Sequence, residues 1–168
     1  IKILKLKKNL IDYIWIRSLK VQNTKEIFIL KQKYSGITFT NKLNKLFAIL
    51  KQKNVDWVFL QNSESVAWLF NMRGMDLPYT PITFAYSLIS KKYIYIFLED
   101  PALPKNILNF YSKKVRFVNF LEINEILKKM KVSKQNILID NNSISKYYHD
   151  LLRKYYKKVL SDVDPISN

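Results

Sequence analysis

The sequence predicts an α/β fold: a mixed β-sheet with helices on both faces, three layers in all. Two observations predict it. Short β-branched and aromatic runs alternate with segments of helical spacing along most of the chain. One neighbouring pair of strand runs, Phe84 to Ser90 and Tyr93 to Leu98, has only Lys91-Lys92 between them. That gap fits a tight antiparallel hairpin, although it lacks the favoured Asn-Gly chemistry. The hairpin supplies the antiparallel part of the sheet, and the strand–helix alternation supplies the parallel part.

Each element has its own signal. Ile1 to Leu6 alternates, as the last strand of a preceding domain would. Leu10, Ile11, Ile14 and Trp15 share one face of a short helix. Ser18 to Lys25 is polar and reads as linker. Glu26 to Leu30 is a compact strand, and Lys33 to Phe39 is a loop around Gly36. Thr40 can cap a helix carrying Leu43, Leu46, Phe47 and Leu50. Val55 to Leu60 suits a buried strand. Ser63 can cap the next helix, with Glu64 in its first turn and Val66, Ala67, Leu69 and Phe70 on a wide apolar face. Arg73 suits the helix C-terminus, and Gly74 is expected to take the left-handed conformation that ends it. Pro78 and Pro81 forbid continuation and hold the following residues extended.

Beyond the hairpin, Glu99-Asp100-Pro101 is a turn, and Pro104 can start a helix ending near Tyr111. Lys114 to Asn119 alternates as a strand. Ile123, Ile126, Leu127 and Met130 place a helix over Leu121 to Met130. Asn136 to Asp140 is a strand, Ser143 can cap a helix through Tyr155, and Val159-Leu160 makes a last short strand. No internal repeat or low-complexity segment stands out.

Composition bounds the function. A chain of 168 residues with 48% hydrophobic and 14% aromatic content can bury a real core and is not a disordered tail. It has no cysteine, so disulfides, iron–sulfur clusters and cysteine zinc sites are excluded. No apolar run reaches about 18 residues, so no membrane span is expected. IKILKLKKNL lacks the apolar core and cleavage site of a signal peptide. The net charge of +16 suggests a polyanion partner. Against that stand twenty-five scattered lysines and only four arginines, a pattern that A/T-rich codons would produce. Sequence-specific nucleic-acid sites favour Arg for its bidentate contacts. A solvated lysine surface is therefore the preferred expectation. A free-standing basic nucleic-acid-binding domain is the alternative.

The stretch from Ser63 to Ser90 carries a resemblance. Ala67-Trp68-Leu69, Asn71, Arg73-Gly74, Asp76, Pro78-Tyr79, Pro81, Phe84 and Tyr86, in register, resemble a segment of the large cytosolic type of Xaa-Pro aminopeptidase (aminopeptidase P). Asn9-Leu10-Ile11-Asp12 with Ile14-Trp15, Tyr34-Ser35-Gly36 with Lys42-Leu43, and Asp164-Pro165-Ile166 resemble the family's flanking segments more loosely. One departure is plain: Ser63-Glu64-Ser65 stands where the family is more acidic.

The resemblance implies a creatinase amino-terminal-type, ribonuclease-H-like sheet. It implies that residues 1–25 are the tail of a preceding domain and a linker. Residues 26–164 would be the middle domain, and 165–168 would begin the link to a catalytic domain. The family members are metallopeptidases, usually with two manganese ions, that remove the N-terminal residue before a proline. The metal ligands lie in the carboxy-terminal domain, and no position here inherits them. The implied role is non-catalytic: spacing the domains, enclosing the cleft and supporting a dimer. The implied partners are the protein's own N-terminal and catalytic domains, a second copy and the peptide substrate. The implied location is the cytoplasm.

The remaining chemistry is sparse. No nucleophile–base pair and no Gly-rich phosphate loop is present, so no catalytic residue and no metal ligand is assigned. His149 stands alone and is expected to be solvated or hydrogen-bonded. Asp56, Glu64, Asp76 and Asp140 are the carboxylates such a fold might direct at magnesium, but each has a local role as strand start, cap or turn. Arg73 and Asp76 can pair or bond loop carbonyls. With Tyr79, they are the candidates for a cleft rim or domain interface. Trp57 and Trp68 are expected in the core. Tyr147-Tyr148 and Tyr155-Tyr156 are each expected to place one ring inside and one outside.

Overall fold

In a computed structural model, residue 11 and residues 26–111, 113–130 and 132–167 are described. The first strand and helix expected from the sequence lie outside these residues, apart from Ile11. The elements that follow are β1 (Phe28–Ile29), α1 (Gln32–Ser35), α2 (Phe39–Gln52), β2 (Trp57–Leu60), α3 (Ser63–Phe70) and β3 (Met72–Arg73). The hairpin β4 (Tyr86–Ser90) and β5 (Ile94–Leu98) leads to α4 (Lys105–Tyr111) and β6 (Val115–Asn119). A 3-10 turn (Phe120–Glu122) opens into α5 (Ile123–Met130), and β7 (Asn136–Asp140), α6 (Lys146–Tyr155) and β8 (Lys158–Asp162) complete the chain.

Six strands form one sheet in the order β6-β5-β4-β2-β7-β8. β4 is antiparallel to both neighbours, and the β2–β7, β5–β6 and β7–β8 pairs are parallel. Alternation along the strands divides the interior in two. Val58, Leu60, Ile89 and Ile96 point to the side covered by α2, α3 and α4. Trp57, Phe59, Leu88 and Phe97 point to the side covered by α5 and α6. The predicted three-layer α/β arrangement is what is observed. The second side is rich in rings: Phe59, Tyr86 and Tyr148 meet at 5.3–6.2 Å between centroids.

Several boundaries move, each for a local reason. The first long helix is capped by Thr38, whose hydroxyl accepts from Asn41 N at 3.3 Å, and not by Thr40. Ser145, not Ser143, caps α6. The helix expected from Leu121 begins as the 3-10 turn, because Asn119 and Glu122 form a reciprocal capping box there. The hairpin closes without Asn-Gly because the Ser90 hydroxyl accepts from Tyr93 N at 3.0 Å and donates to Tyr93 O at 3.2 Å. Tyr148 turns inward and Tyr147 outward, as expected, but Tyr155 packs half-buried against the same core as the buried Tyr156, its hydroxyl donating to Asn124 Oδ1 at 2.8 Å.

Candidate functional site

The site is built on α3 and the loop that follows it. The N-cap is Asn62, whose Oδ1 accepts from Glu64 N at 2.9 Å. Ser63, expected as the cap, instead bridges to the next strand: its hydroxyl donates to Ala85 O and accepts from Ala85 N, both at 3.2 Å. Phe70 and Leu69 are fully buried. Trp68 is not a core residue. It is 42% exposed, because it lies on the face of α3 turned away from the sheet. Trp57 is buried, as expected.

The helix ends before Gly74, at a C-cap three residues earlier. Asn71 takes the left-handed conformation at φ 52°, and its N–H closes onto Ala67 O and Trp68 O. Asn tolerates this region better than other non-glycine residues. Gly74 serves a different purpose and does not have positive φ. A Cβ there would lie 2.6 Å from Thr83 Cβ, so glycine is what lets the two arms of the loop touch.

Beneath Trp68 lies Lys42, buried although it is a lysine. Its place on α2 with Leu46 and Leu50 puts it on the inner face. Nζ donates to Trp68 O at 2.7 Å and to Asn71 Oδ1 at 2.6 Å, and stands 3.9 Å from the Trp68 ring. Burial, aided by the nearby Arg73 charge, pulls its pKa from 10.5 down to about 8. Asn71 Nδ2 donates onward to Ile37 O at 3.0 Å. The Tyr111 hydroxyl donates to Phe70 O at 2.7 Å.

Arg73 and Asp76 do not bond each other. Arg73 Nη1 donates inward to Ala67 O at 2.6 Å and Met72 O at 2.9 Å, locking the helix end to β3. Burial lowers its pKa from the usual arginine value. Asp76 Oδ2 accepts from Thr83 Oγ1 at 2.9 Å and Phe84 N at 2.7 Å, tying the far side of the loop together. Tyr79 sits at the tip with φ 60° and its side chain wholly exposed. Met75, Leu77 and Phe84 are exposed beside it in sequence. The loop is thus braced from inside by polar groups and shows apolar groups outside. That arrangement suits recognition of another surface, and it holds no nucleophile with a base.

The other carboxylates do not converge. Asp56 Oδ2 accepts from Asn136 N at 2.8 Å, Asp140 Oδ1 accepts from Asn142 N at 3.0 Å, and Glu64 lies in the first turn of α3. Among the described residues no group of three or more His, Cys, Asp or Glu could hold a metal ion. No helix there is long and apolar enough to cross a membrane. His149 Nδ1 lies 3.4 Å from Asp150 Oδ1. Lys42 and Asn71 carry part of the family resemblance, but their roles beneath Trp68 are not read from the sequence. The spacing of Lys42 with Leu46 and Leu50 was the available signal for the first. The second could have been found from Asn following an apolar helix.

Comparison with known proteins gives these features a setting. The family model for the Creatinase/Prolidase N-terminal domain matches residues 19–168. A protein of Ajellomyces capsulatus (strain H143) named "Probable Xaa-Pro aminopeptidase P" is 28% identical over 134 residues, covering 80% of this chain and 21% of its own length. One of the same name from Coprinopsis cinerea is 32% identical over 125 residues, covering 74% of this chain and 20% of that protein. The chain thus spans about a fifth of these curated relatives. The crystal structure of an X-prolyl aminopeptidase from Caenorhabditis elegans, described as a cytosolic enzyme with a di-nuclear active site, superposes with a TM-score of 0.81 at 21% identity. It covers 97% of this chain and 27% of that one. An aminopeptidase P from Streptococcus thermophilus superposes with a TM-score of 0.56 at 16% identity, over 77% of this chain and 95% of that one. Sequence pattern and sheet agree, and the chain belongs to the Creatinase/Prolidase N-terminal domain family.

Proposed function

We propose that this chain is the non-catalytic middle domain of an Xaa-Pro aminopeptidase, a peptidase that removes the N-terminal residue before a proline. The observation that carries the reading is its similarity over 134 residues to a relative of that name. Residues 26–164 form the domain proper. Residues 1–25 belong to a preceding domain and linker, and 165–168 begin the link to the catalytic domain. In this reading two manganese ions would be held by that catalytic domain and would supply Lewis-acid chemistry there. Asp56, Asp76 and Asp140 do not fit that task, each being engaged by a backbone donor. The enzyme works in the cytoplasm, as the nematode protein is described to do.

The domain's part is the braced loop. Arg73 and Asp76 shape it from within, and Tyr79 is what it offers to the neighbouring domain or the cleft rim. The same domain can support a dimer of the enzyme. The test compares this chain alone with the full-length protein that carries it. The chain alone should hydrolyse no Xaa-Pro peptide, with or without manganese. In the full-length enzyme Tyr79→Ala should lower kcat/KM while the melting curve stays in place. Turnover that copurifies with the isolated chain would overturn the reading, and unchanged kinetics for Tyr79→Ala would confine the loop to a structural role.

A further inference from the structure

A groove of about 810 Å³ opens at the other end of the sheet from the braced loop, where β2, β5, β6 and β7 begin. The buried Trp57 and Tyr95 and the half-buried Tyr93 form an aromatic row under its floor, Trp57 and Tyr93 stacked at 6.3 Å and 6°. Val118 on β6 and Ile126 and Met130 on α5 add an apolar wall. Four cations stand around this recess: Lys91 and Lys92 from the hairpin turn, Arg116 from β6 and Lys129 from α5. Lys92 Nζ is 5.1 Å from the Tyr93 ring, and the Arg116 guanidinium is 5.9 Å from the Tyr95 ring.

The charge balance of the groove is one-sided. None of the four cations makes an ion pair among the described residues. Two carboxylates, Asp56 and Glu122, also line the groove, so four cations stand there against two negative charges. Asp56 accepts from Asn136 N at 2.8 Å, and Glu122 accepts from Asn119 N at 3.1 Å. Below the row, the buried Tyr156 packs edge-on against Trp57 at 6.2 Å, and its hydroxyl has no hydrogen-bond partner among the described residues. Solvated lysines spread over a surface need no counter-charge. Four cations gathered from three elements onto an apolar recess concentrate a positive field that favours an anion. A second copy of a chain carrying +16 is repelled from such a face.

We propose that this groove is a binding site for a nucleotide, its planar ring system packed on Tyr93 and the apolar wall and its phosphates held by Lys91, Lys92, Arg116 and Lys129. The groove's size falls within the range of small-ligand sites, about 300–1,000 Å³. Lysine binds phosphate as a point charge, which suits a set of three lysines and one arginine. The site is separate from the braced loop and does not depend on the peptidase reading.

The test is titration of the chain with ATP, without divalent cation and at physiological ionic strength. It is followed by calorimetry. Saturable one-to-one binding in the micromolar range is expected. Lys92→Glu with Arg116→Glu should weaken it by about tenfold or more, and Lys105→Glu on α4, on the opposite side of the sheet, should leave it unchanged. Tripolyphosphate alone and adenosine alone should each bind more weakly than ATP. If the double variant fails to fold, Lys129→Glu on the outer face of α5 makes the same test. Absence of saturable binding would overturn the proposal. So would equal weakening by Lys105→Glu, which marks bulk charge alone. Tight binding of single-stranded oligo(dT) without binding of ATP would make the groove a nucleic-acid surface instead.

Discussion

The two ends of the sheet use polar groups in opposite ways. At the braced loop, Lys42, Arg73, Asn71 and Asp76 point inward and bond named partners, and the surface they support is apolar. At the groove, the floor is apolar and the polar groups are left outside, four of them cations with no ion pair among the described residues. The first end is fixed before any partner arrives. The second has a surplus of positive charge that an anionic partner can neutralise. Preorganised apolar surface suits a permanent neighbour, and uncompensated charge suits a ligand that comes and goes.

Substitutions can break or sharpen this contrast. The largest effect is expected within α3. Phe70→Ala empties a fully buried site and should cost about 3–5 kcal/mol. Trp68→Ala, two residues earlier, removes a half-exposed ring and its contact with Lys42, and should cost on the order of 1 kcal/mol. Urea melts of the two variants check the order; equal losses would put Trp68 back in the core. Gly74→Ala should follow at about 1–3 kcal/mol, since its Cβ would meet Thr83 at 2.6 Å. Gly36→Ala has open space around it, so its cost should come from the backbone at φ 72° alone.

Lys42 gives the braced end a pH signature. Its folded pKa of about 8 lies below the ordinary 10.5, so between these values the unfolded chain holds the proton and the folded chain does not. Stability contributed through this residue should therefore rise with pH across that window. Below about 8 both states are protonated and the burial penalty is fully present. The difference in unfolding free energy between wild type and Lys42→Met, measured from pH 7 to 10.5, should climb by the upper end. A flat difference would mean that Lys42 is solvated. The smallest effects belong to exposed groups at both ends: Tyr79→Ala and Arg116→Ala should each stay within about 0.5 kcal/mol.

Much of the sheet was legible because its strands are short, apolar and bounded by turn residues. Asn136–Asp140 and the hairpin needed little adjustment. Helix α3 shows where that reading stops. Val66, Ala67, Trp68, Leu69 and Phe70 are apolar in unbroken succession, so spacing cannot say which one faces out. The answer lies in Lys42, twenty-six residues earlier, which rises beneath Trp68 and takes its carbonyl. The groove was hidden for a similar reason. Lys91, Lys92, Arg116 and Lys129 are ordinary surface cations in sequence, and only the sheet order brings them to one recess. The role of the proline loop came from its resemblance to a family, and its chemistry alone would have indicated no more than a rigid turn.

The parallel seam between β2 and β7 joins Trp57, Val58 and Phe59 to Ile137, Leu138 and Ile139. The β4–β5 hairpin and the β5–α4–β6 unit are assembled from contacts close in sequence. The seam instead must bring together segments some eighty residues apart, at a loop-closure cost that grows only logarithmically with length. It is therefore the slow step expected for a fold of this kind, and the pairing of β8 onto β7 should form after it. Destabilising changes on β8 should speed unfolding and leave the folding rate nearly untouched. Until the seam closes, the exposed edge of β2 is an open template for another strand, which makes a crowded, freshly synthesised chain most vulnerable to aggregation at that moment.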